Sequence, residues 1–227
     1  MCLTLKMFFF ALFFEYTFFF FARRVEYFIL LFKSKGKLYL TYDDGPSFEF
    51  QQKLLDLLKR NNVKATFFLN AKKAENLLEK CLEISGHGHE IGFHGYEHIN
   101  DLKISQIKSI KYIGKSKEIL KFSSDFCRCY RFPYGKFKFS SWLVVILSRS
   151  IPVHWTVDSG DTKKNKNFDG VLREVSRNRG GVVLMHSFDR TDDHRTEEYV
   201  LNITEELIEW ARSNNIQILK CSELYKR

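Results

Sequence analysis

The chain has 227 residues and a formal net charge of +9, with 28% charged and 44% hydrophobic residues. That length supplies one domain with a full core and is too short for two ordinary ones, and the composition excludes a long disordered or low-complexity protein. Of the 23 phenylalanines, 11 fall between Phe8 and Phe32, so the composition divides into an aromatic N-terminal piece and an ordinary remainder.

Residues 7–22 read MFFFALFFEYTFFFFA, an apolar run of 16 residues broken by Glu15 and closed by Arg23 and Arg24. It is short for a spanning helix, which needs about 20 residues to cross roughly 30 Å of hydrocarbon. Extending it to Phe32 brings Arg23, Arg24 and Glu26 into the bilayer, at about 2.5 kcal/mol or more for each central charge. The pattern reads as a secretory signal sequence or a signal anchor, with Lys6 as a thin positive region and no small-x-small cleavage site. Residues 1–36 are accordingly assigned to a hydrophobic signal sequence or membrane anchor, and residues 37–227 to the folded domain. Membrane association through the N-terminus follows. Five basic residues between Arg23 and Lys37 trail the run while Lys6 alone precedes it, so the positive-inside rule pulls the domain toward the cytoplasm and leaves the orientation open.

Residues 1–37 hold six Lys/Arg against two acidic residues, and the remaining 190 carry +5. With no basic stripe or binding motif, nucleic acid is not an expected partner. Five cysteines are too few and too irregular for a disulfide framework. Cys127 and Cys129, two apart in a strand, face one side and read as buried thiols.

From Lys37 onward, β-type runs alternate with helical stretches, the pattern of an α/β domain with mostly parallel strands. KLYLTY (37–42) is the first strand, followed by a helix that Ser47 can cap, with Phe50, Leu54, Leu55 and Leu58 on one face. VKATFFL is the second strand, and Asn70 caps a short helix through Leu82. EIGF (90–93) is the third, before a helix from about Ser105 to Phe122 with Ile107, Ile110, Ile113 and Ile119 at helical spacing. CRCYRF, VHWTV, GVVLM and IQILK complete seven strands, separated by helices through 142–147, 171–175 and 196–212. Periodicity admits a closed or nearly closed (β/α) barrel and also a doubly wound open sheet.

In a parallel β/α barrel, functional side chains collect where the strands end. Asp43 and Asp44 follow the first strand, His94 and His98 the third, Arg131 and Tyr134 the fourth, Asp158 and Asp161 the fifth, and His186 the sixth. Each alone has an ordinary structural explanation: the Asp pair before Gly-Pro as turn chemistry, the His pair as surface or core imidazoles, His186 as a hydrogen-bonded core residue. Their coincidence on one rim points to chemistry. Two imidazoles and a carboxylate make a three-ligand site for Zn²⁺ or a similar divalent ion, a second carboxylate can take a proton from water, and a histidine across the mouth can protonate a leaving group.

TYDDGPS (41–47), HGYEH (94–98), RFPYG (131–135), VDSGDT (157–162) and LMH (184–186) resemble, in order, the five motifs of the polysaccharide deacetylases with the NodB-homology domain, carbohydrate esterase family 4. The resemblance covers residues 37–224 and implies a distorted (β/α) barrel with about seven parallel strands. It implies Asp43 as general base, Asp44, His94 and His98 as ligands of a divalent metal, usually zinc, and Arg131 as the partner that aims the base. The Tyr134 backbone N–H would stabilise the oxyanion, and Asp161 would orient His186, the acid that protonates the departing amine. Leu184, Tyr134 and Pro133 would contact substrate.

The implied reaction removes N-acetyl groups from N-acetylglucosamine polymers or oligomers, chitin first and peptidoglycan next, releasing acetate. The implied location is secreted or membrane-anchored, at the cell wall. Two positions depart from the family pattern. Gly95 replaces a Ser or Thr, and Thr162 replaces a Trp of the substrate groove. These departures motivate two alternatives: a carbohydrate-binding, wall-associated protein with little turnover, and a deacylase acting on a small amide or imide.

Overall fold

The molecule is described from a computed structural model over residues 3–121, 126–165, 167–189 and 194–226. Among the described residues there are eight strands: β1 (Lys37–Gly45), β2 (Thr66–Leu69), β3 (Glu90–Phe93), β4 (Phe126–Tyr130), β5 (Ile151–Pro152), β6 (Val157–Asp158), β7 (Gly181–His186) and β8 (Gln217–Ile218). They pair in parallel in the order β5-β4-β3-β2-β1-β7-β6, with the short β8 added beside β1. Leu38 to Tyr42 of β1 are buried without alternation, because both faces of a parallel strand are covered.

The two edge strands of this path, β5 and β6, are consecutive in the chain and joined by residues 153–156 alone. Five Cα–Cα steps reach at most about 18 Å, so the sheet has to curl until its edges nearly meet. That is the expected distorted (β/α) barrel with seven strands around it, and it excludes the flat doubly wound sheet. It also corrects one strand. VHWTV does not form a single strand, because Val153 still bonds to β4 and Thr156 already bonds to β7, while His154 and Trp155 cross the gap between the two edges.

Among the described residues eight α-helices surround the sheet: α1 (Leu3–Lys33), α2 (Phe50–Arg60), α3 (Ala71–Asn76), α4 (Leu78–Gly86), α5 (Gln106–Leu120), α6 (Phe139–Leu147), α7 (Phe168–Asn178) and α8 (His194–Ser213). Asn70 and Ser105 cap α3 and α5 through their side chains, as their positions predict. Ser47 does not cap α2. Its first amides, on Phe48, Glu49 and Phe50, donate instead to the Asp189 carboxylate at 2.6, 3.0 and 2.9 Å. In α5 the buried positions are Ser109, Ile113, Ser116 and Leu120; of the isoleucine stripe Ile113 and Ile119 pack on the core, while Ile107 and Ile110 are exposed.

The boundary drawn at residue 36 falls between α1 and β1, and α1 is packed against the domain on the other side of it. Phe18 meets Phe137, Phe139 and Trp142 edge-on, Leu30 is fully buried, and Lys33 Nζ donates to the Leu224 carbonyl at 2.8 Å. Among the described residues no helix is long and apolar enough to cross a membrane. Cys81, Cys127, Cys129 and Cys221 are buried and unbridged, as read for Cys127 and Cys129, while Cys2 lies outside the described residues.

Candidate active site

Successive side chains of a strand point to opposite faces, so Asp43 and Asp44 could not share a site in a regular β1. The pairing with β2 slips between Asp43 and Gly45, and Asp44 adopts φ 68°, a left-handed conformation that Asp tolerates. Both residues thereby line the same pocket. The loop after β3 brings in His94 and His98, the turn after β4 brings in Tyr134, and β7 ends on Leu184 and His186. These residues surround a cavity of about 520 Å³.

Asp44 Oδ1 lies 3.4 Å from His94 Nε2 and 3.3 Å from His98 Nε2, and the three ligand atoms lie within 4.8 Å of one another. His94 Nδ1 donates to the Arg131 carbonyl at 2.9 Å, which aims Nε2 at the carboxylates. Asp44 Oδ1 is buried without a hydrogen-bond partner, a costly state for an anionic oxygen that a cation between the imidazoles would relieve. The titration of the group points the same way. Although burial opposes its charge, the close approach of the His94 imidazole and attraction from His94, His98 and His186 hold the Asp44 carboxyl well below the usual range. Burial alone would lower His94, but the Asp43 and Asp44 carboxylates drive it upward, so the site draws positive charge. The donor set fits a divalent ion.

Arg131 is fully buried, and its guanidinium makes four hydrogen bonds. Nη1 donates to Asp43 Oδ1 at 2.8 Å and Thr41 Oγ1 at 2.7 Å, Nε to the Val153 carbonyl at 2.9 Å, and Nη2 to the His154 carbonyl at 2.8 Å. Opposite, Asp161 Oδ1 holds His186 Nδ1 at 2.9 Å and Oδ2 accepts the His186 amide at 3.1 Å. Burial opposes protonation of His186, but the Asp161 hydrogen bond and charge, with Asp43 and Asp44 nearby, raise it to about 9.

Tyr134 sits at φ 58°, ψ 7° in the turn Pro133–Gly135, with its ring 4.4 Å from that of His98. Gly135, also left-handed, gives the Trp155 ring room; a Cβ there would come within 2.8 Å of it. Pro133 is not brought to the pocket. It is buried behind the turn, with Cγ 3.4 Å from where a Cβ on Gly95 would lie. Asp158 lies on the rim and is tied to Lys163 at 2.8 Å.

The sequence motifs are therefore assembled around one cavity. The family model for polysaccharide deacetylases matches residues 32–146, half of the chain. The protein belongs to the polysaccharide deacetylase family. Among its relatives, the peptidoglycan-N-acetylglucosamine deacetylase of Bacillus cereus is 36% identical over 157 residues, 68% of this chain and 57% of that protein. PgdA of Listeria monocytogenes, another peptidoglycan-N-acetylglucosamine deacetylase, is 32% identical over 85% of this chain and 40% of its own length. The chain thus spans about half of these curated relatives. The crystal structure of the Bc1960 peptidoglycan N-acetylglucosamine deacetylase superposes with a TM-score of 0.75 at 29% identity, covering 84% of this chain and 88% of that one.

Within this deacetylase fold, three pocket residues went unnoticed in the sequence: Lys136, Trp155 and Phe188. Trp155 and Phe188 supply aromatic walls to a pocket in which Thr162 stands where the family pattern has Trp. Trp155 lies inside VHWTV, and only the break in that presumed strand reveals that it faces the site.

Proposed function

We propose that the protein is a metal-dependent N-deacetylase acting on N-acetylglucosamine units of a wall polysaccharide. The observation that carries this reading is the buried, unpartnered Asp44 Oδ1 set between His94 and His98, beside an Arg131-bound Asp43 and an Asp161-bound His186. Peptidoglycan is the favoured polymer because relatives at 36% and 32% identity are named for it, with chitin oligomers second. The complete set favours turnover over simple carbohydrate binding.

Zinc held by Asp44, His94 and His98 would supply Lewis acidity toward the amide carbonyl and toward water. Asp43, aimed by Arg131, takes a proton from the attacking water. The Tyr134 backbone N–H donates to the carbonyl oxygen as it gains charge, an interaction typically worth about 3 kcal/mol in the transition state. His186, whose Nδ1 is fixed by Asp161, gives a proton from Nε2 to the departing nitrogen as the C–N bond breaks, leaving acetate and a free amine. Leu184 lines the space for the acetyl methyl. A wall polysaccharide as substrate would put the protein at the cell wall, secreted or membrane-attached.

The test is acetate release from peptidoglycan and from N-acetylglucosamine oligomers by the zinc-loaded full chain. Release from either polymer supports the reading, and release from peptidoglycan alone fixes the substrate. Binding of oligomers without acetate release would replace it with the carbohydrate-binding alternative, and hydrolysis confined to small amides or imides with the small-molecule one.

A further inference from the structure

The segment that crosses the barrel gap, 153–156, is tied to a strand only at its ends, where the Val153 amide donates to the Tyr130 carbonyl of β4 and the Thr156 amide to the Val182 carbonyl of β7, and the buried backbone polar groups between these bonds have to be satisfied otherwise. Two charged side chains do this from opposite directions. Arg131, from inside the barrel, donates to the carbonyls of Val153 and His154 at 2.9 and 2.8 Å. Glu26, from α1 on the outside, accepts the His154 amide at 2.8 Å and the His154 Nδ1 at 2.7 and 2.9 Å. Arg23 supports the same contact, reaching Glu26 at 2.9 Å with its guanidinium 5.1 Å from the centre of the Trp155 ring.

The peptide of His154 is thus gripped at both ends, and the group gripping its carbonyl is the same guanidinium that binds Asp43 at 2.8 Å. We propose that Glu26 is a positioning residue for the active site: from the N-terminal helix, through His154 and Arg131, it fixes the carboxylate of Asp43. The proposal rests on the reading of Asp43 as the base. It makes α1, which the sequence marks as a leader or anchor, a working part of the catalytic domain. A glutamate serving only to fasten α1 would matter for stability alone. In the chain of contacts seen here, releasing it frees the His154 peptide, then two of the four acceptors of Arg131, then the aim of Asp43. Displacements below 1 Å at a reacting group are enough to cost on the order of tenfold or more in rate.

The experiment compares two substitutions in the full chain loaded with zinc. Glu26→Gln weakens the relay by removing the charge and one of the two oxygens that accept from His154. Phe18→Ala loosens α1 through its contacts with Phe137, Phe139 and Trp142 and touches no member of the relay. Both are assayed below their melting temperatures on N-acetylglucosamine oligomers. Glu26→Gln is expected to lower kcat on the order of tenfold with KM unchanged, and Phe18→Ala to lower Tm with kcat unchanged. The second readout needs no activity: hydrogen exchange of the Arg131 Nε–H, followed by NMR, should speed up at least several-fold in Glu26→Gln and not in Phe18→Ala.

Equal kcat losses in the two variants, or equal Arg131 exchange, would overturn the proposal. Should Glu26→Gln fail to fold, Glu26→Asp, which keeps the charge on a shorter stem, takes its place with the same expectations. A wild-type chain that releases no acetate defeats the deacetylase reading, and the exchange comparison then decides the relay by itself.

Discussion

Asp43 and Asp44 are identical in chemistry and adjacent in sequence, and their surroundings separate their roles. Asp43 faces an arginine that donates to one of its oxygens, while Asp44 faces two imidazoles and keeps one oxygen unpaired. Asp43→Asn is therefore expected to retain metal and lose acetate release by at least a hundredfold, and Asp44→Asn to lose metal itself, both checked by metal-to-protein ratio alongside turnover. Arg131→Lys replaces a planar fork of four hydrogen bonds by a point charge. It should cost about 3 kcal/mol in urea unfolding as well as activity, because breaking a buried pair strands the other partner. At His186, an NMR titration of the metal-free protein should give a midpoint near 9, falling toward the ordinary value in Asp161→Asn. Gly95 shows where a family comparison misleads. Its φ of 75° favours glycine, and the peptide is pinned by the Ala71 amide on the Gly95 carbonyl at 3.0 Å. Gly95→Ser should thus lower stability by about 1 kcal/mol.

The elements were legible to the extent that their determinants are local. Asn70 and Ser105 announce helix starts because a cap acts over three residues, and the unbroken apolar run of β1 announces a strand covered on both faces. The start of α2 was illegible for the converse reason: its cap, Asp189, lies 139 residues away from Phe50 in the chain. Asp189→Ala should cost about 1–2 kcal/mol in urea unfolding without changing kcat, since it frees three amides at a helix start distant from proton transfer. In α5, periodicity alone could not choose between the isoleucine stripe and the Ser109, Ile113, Ser116, Leu120 face, because the choice depends on which neighbours surround the helix. The single-strand reading of VHWTV failed because pairing is a property of neighbours, and the neighbour changes from β4 at Val153 to β7 at Thr156.

At the scale of the molecule, α1 holds the segment that closes the barrel and adds to the response to acid. Burial works against the charge of Glu26, yet His154 and Arg23 hold its carboxyl down to about 2 from 4.5. Burial and Arg23 hold His154 down to about 4 from 6.5. Both groups bind fewer protons folded than unfolded, so their contribution is present at pH 7 and is lost as the pH falls, through 6.5 to 4 for His154 and through 4.5 to 2 for Glu26. Urea unfolding at pH 7, 5 and 3 should show a steady decline. A chain begun at Lys37 lacks the partner of His154 and exposes the packing surface of Phe137 and Trp142. It should melt lower and aggregate more readily than the full chain, measured by thermal scan and light scattering.

The sequence by itself determined the alternation of strands and helices, the family, and most of the polar side chains that the fold gathers around one cavity, because five short motifs carry them and sit where strands end. It could not determine that Asp43 and Asp44 face one pocket, that Trp155 lines it, or that Glu26 is bound to the domain. Those facts depend on a bulge, a strand gap and a helix packed across that gap, and each arises from groups brought together by the closing of the barrel. The charges in the aromatic run made that point most clearly. Glu15, Arg23 and Glu26 interrupt the apolar run when read along the chain, but in the fold, half-buried, they meet an amide, an indole and an imidazole. A buried charge is tolerated only with its partners in place, and the partners are fixed by tertiary structure.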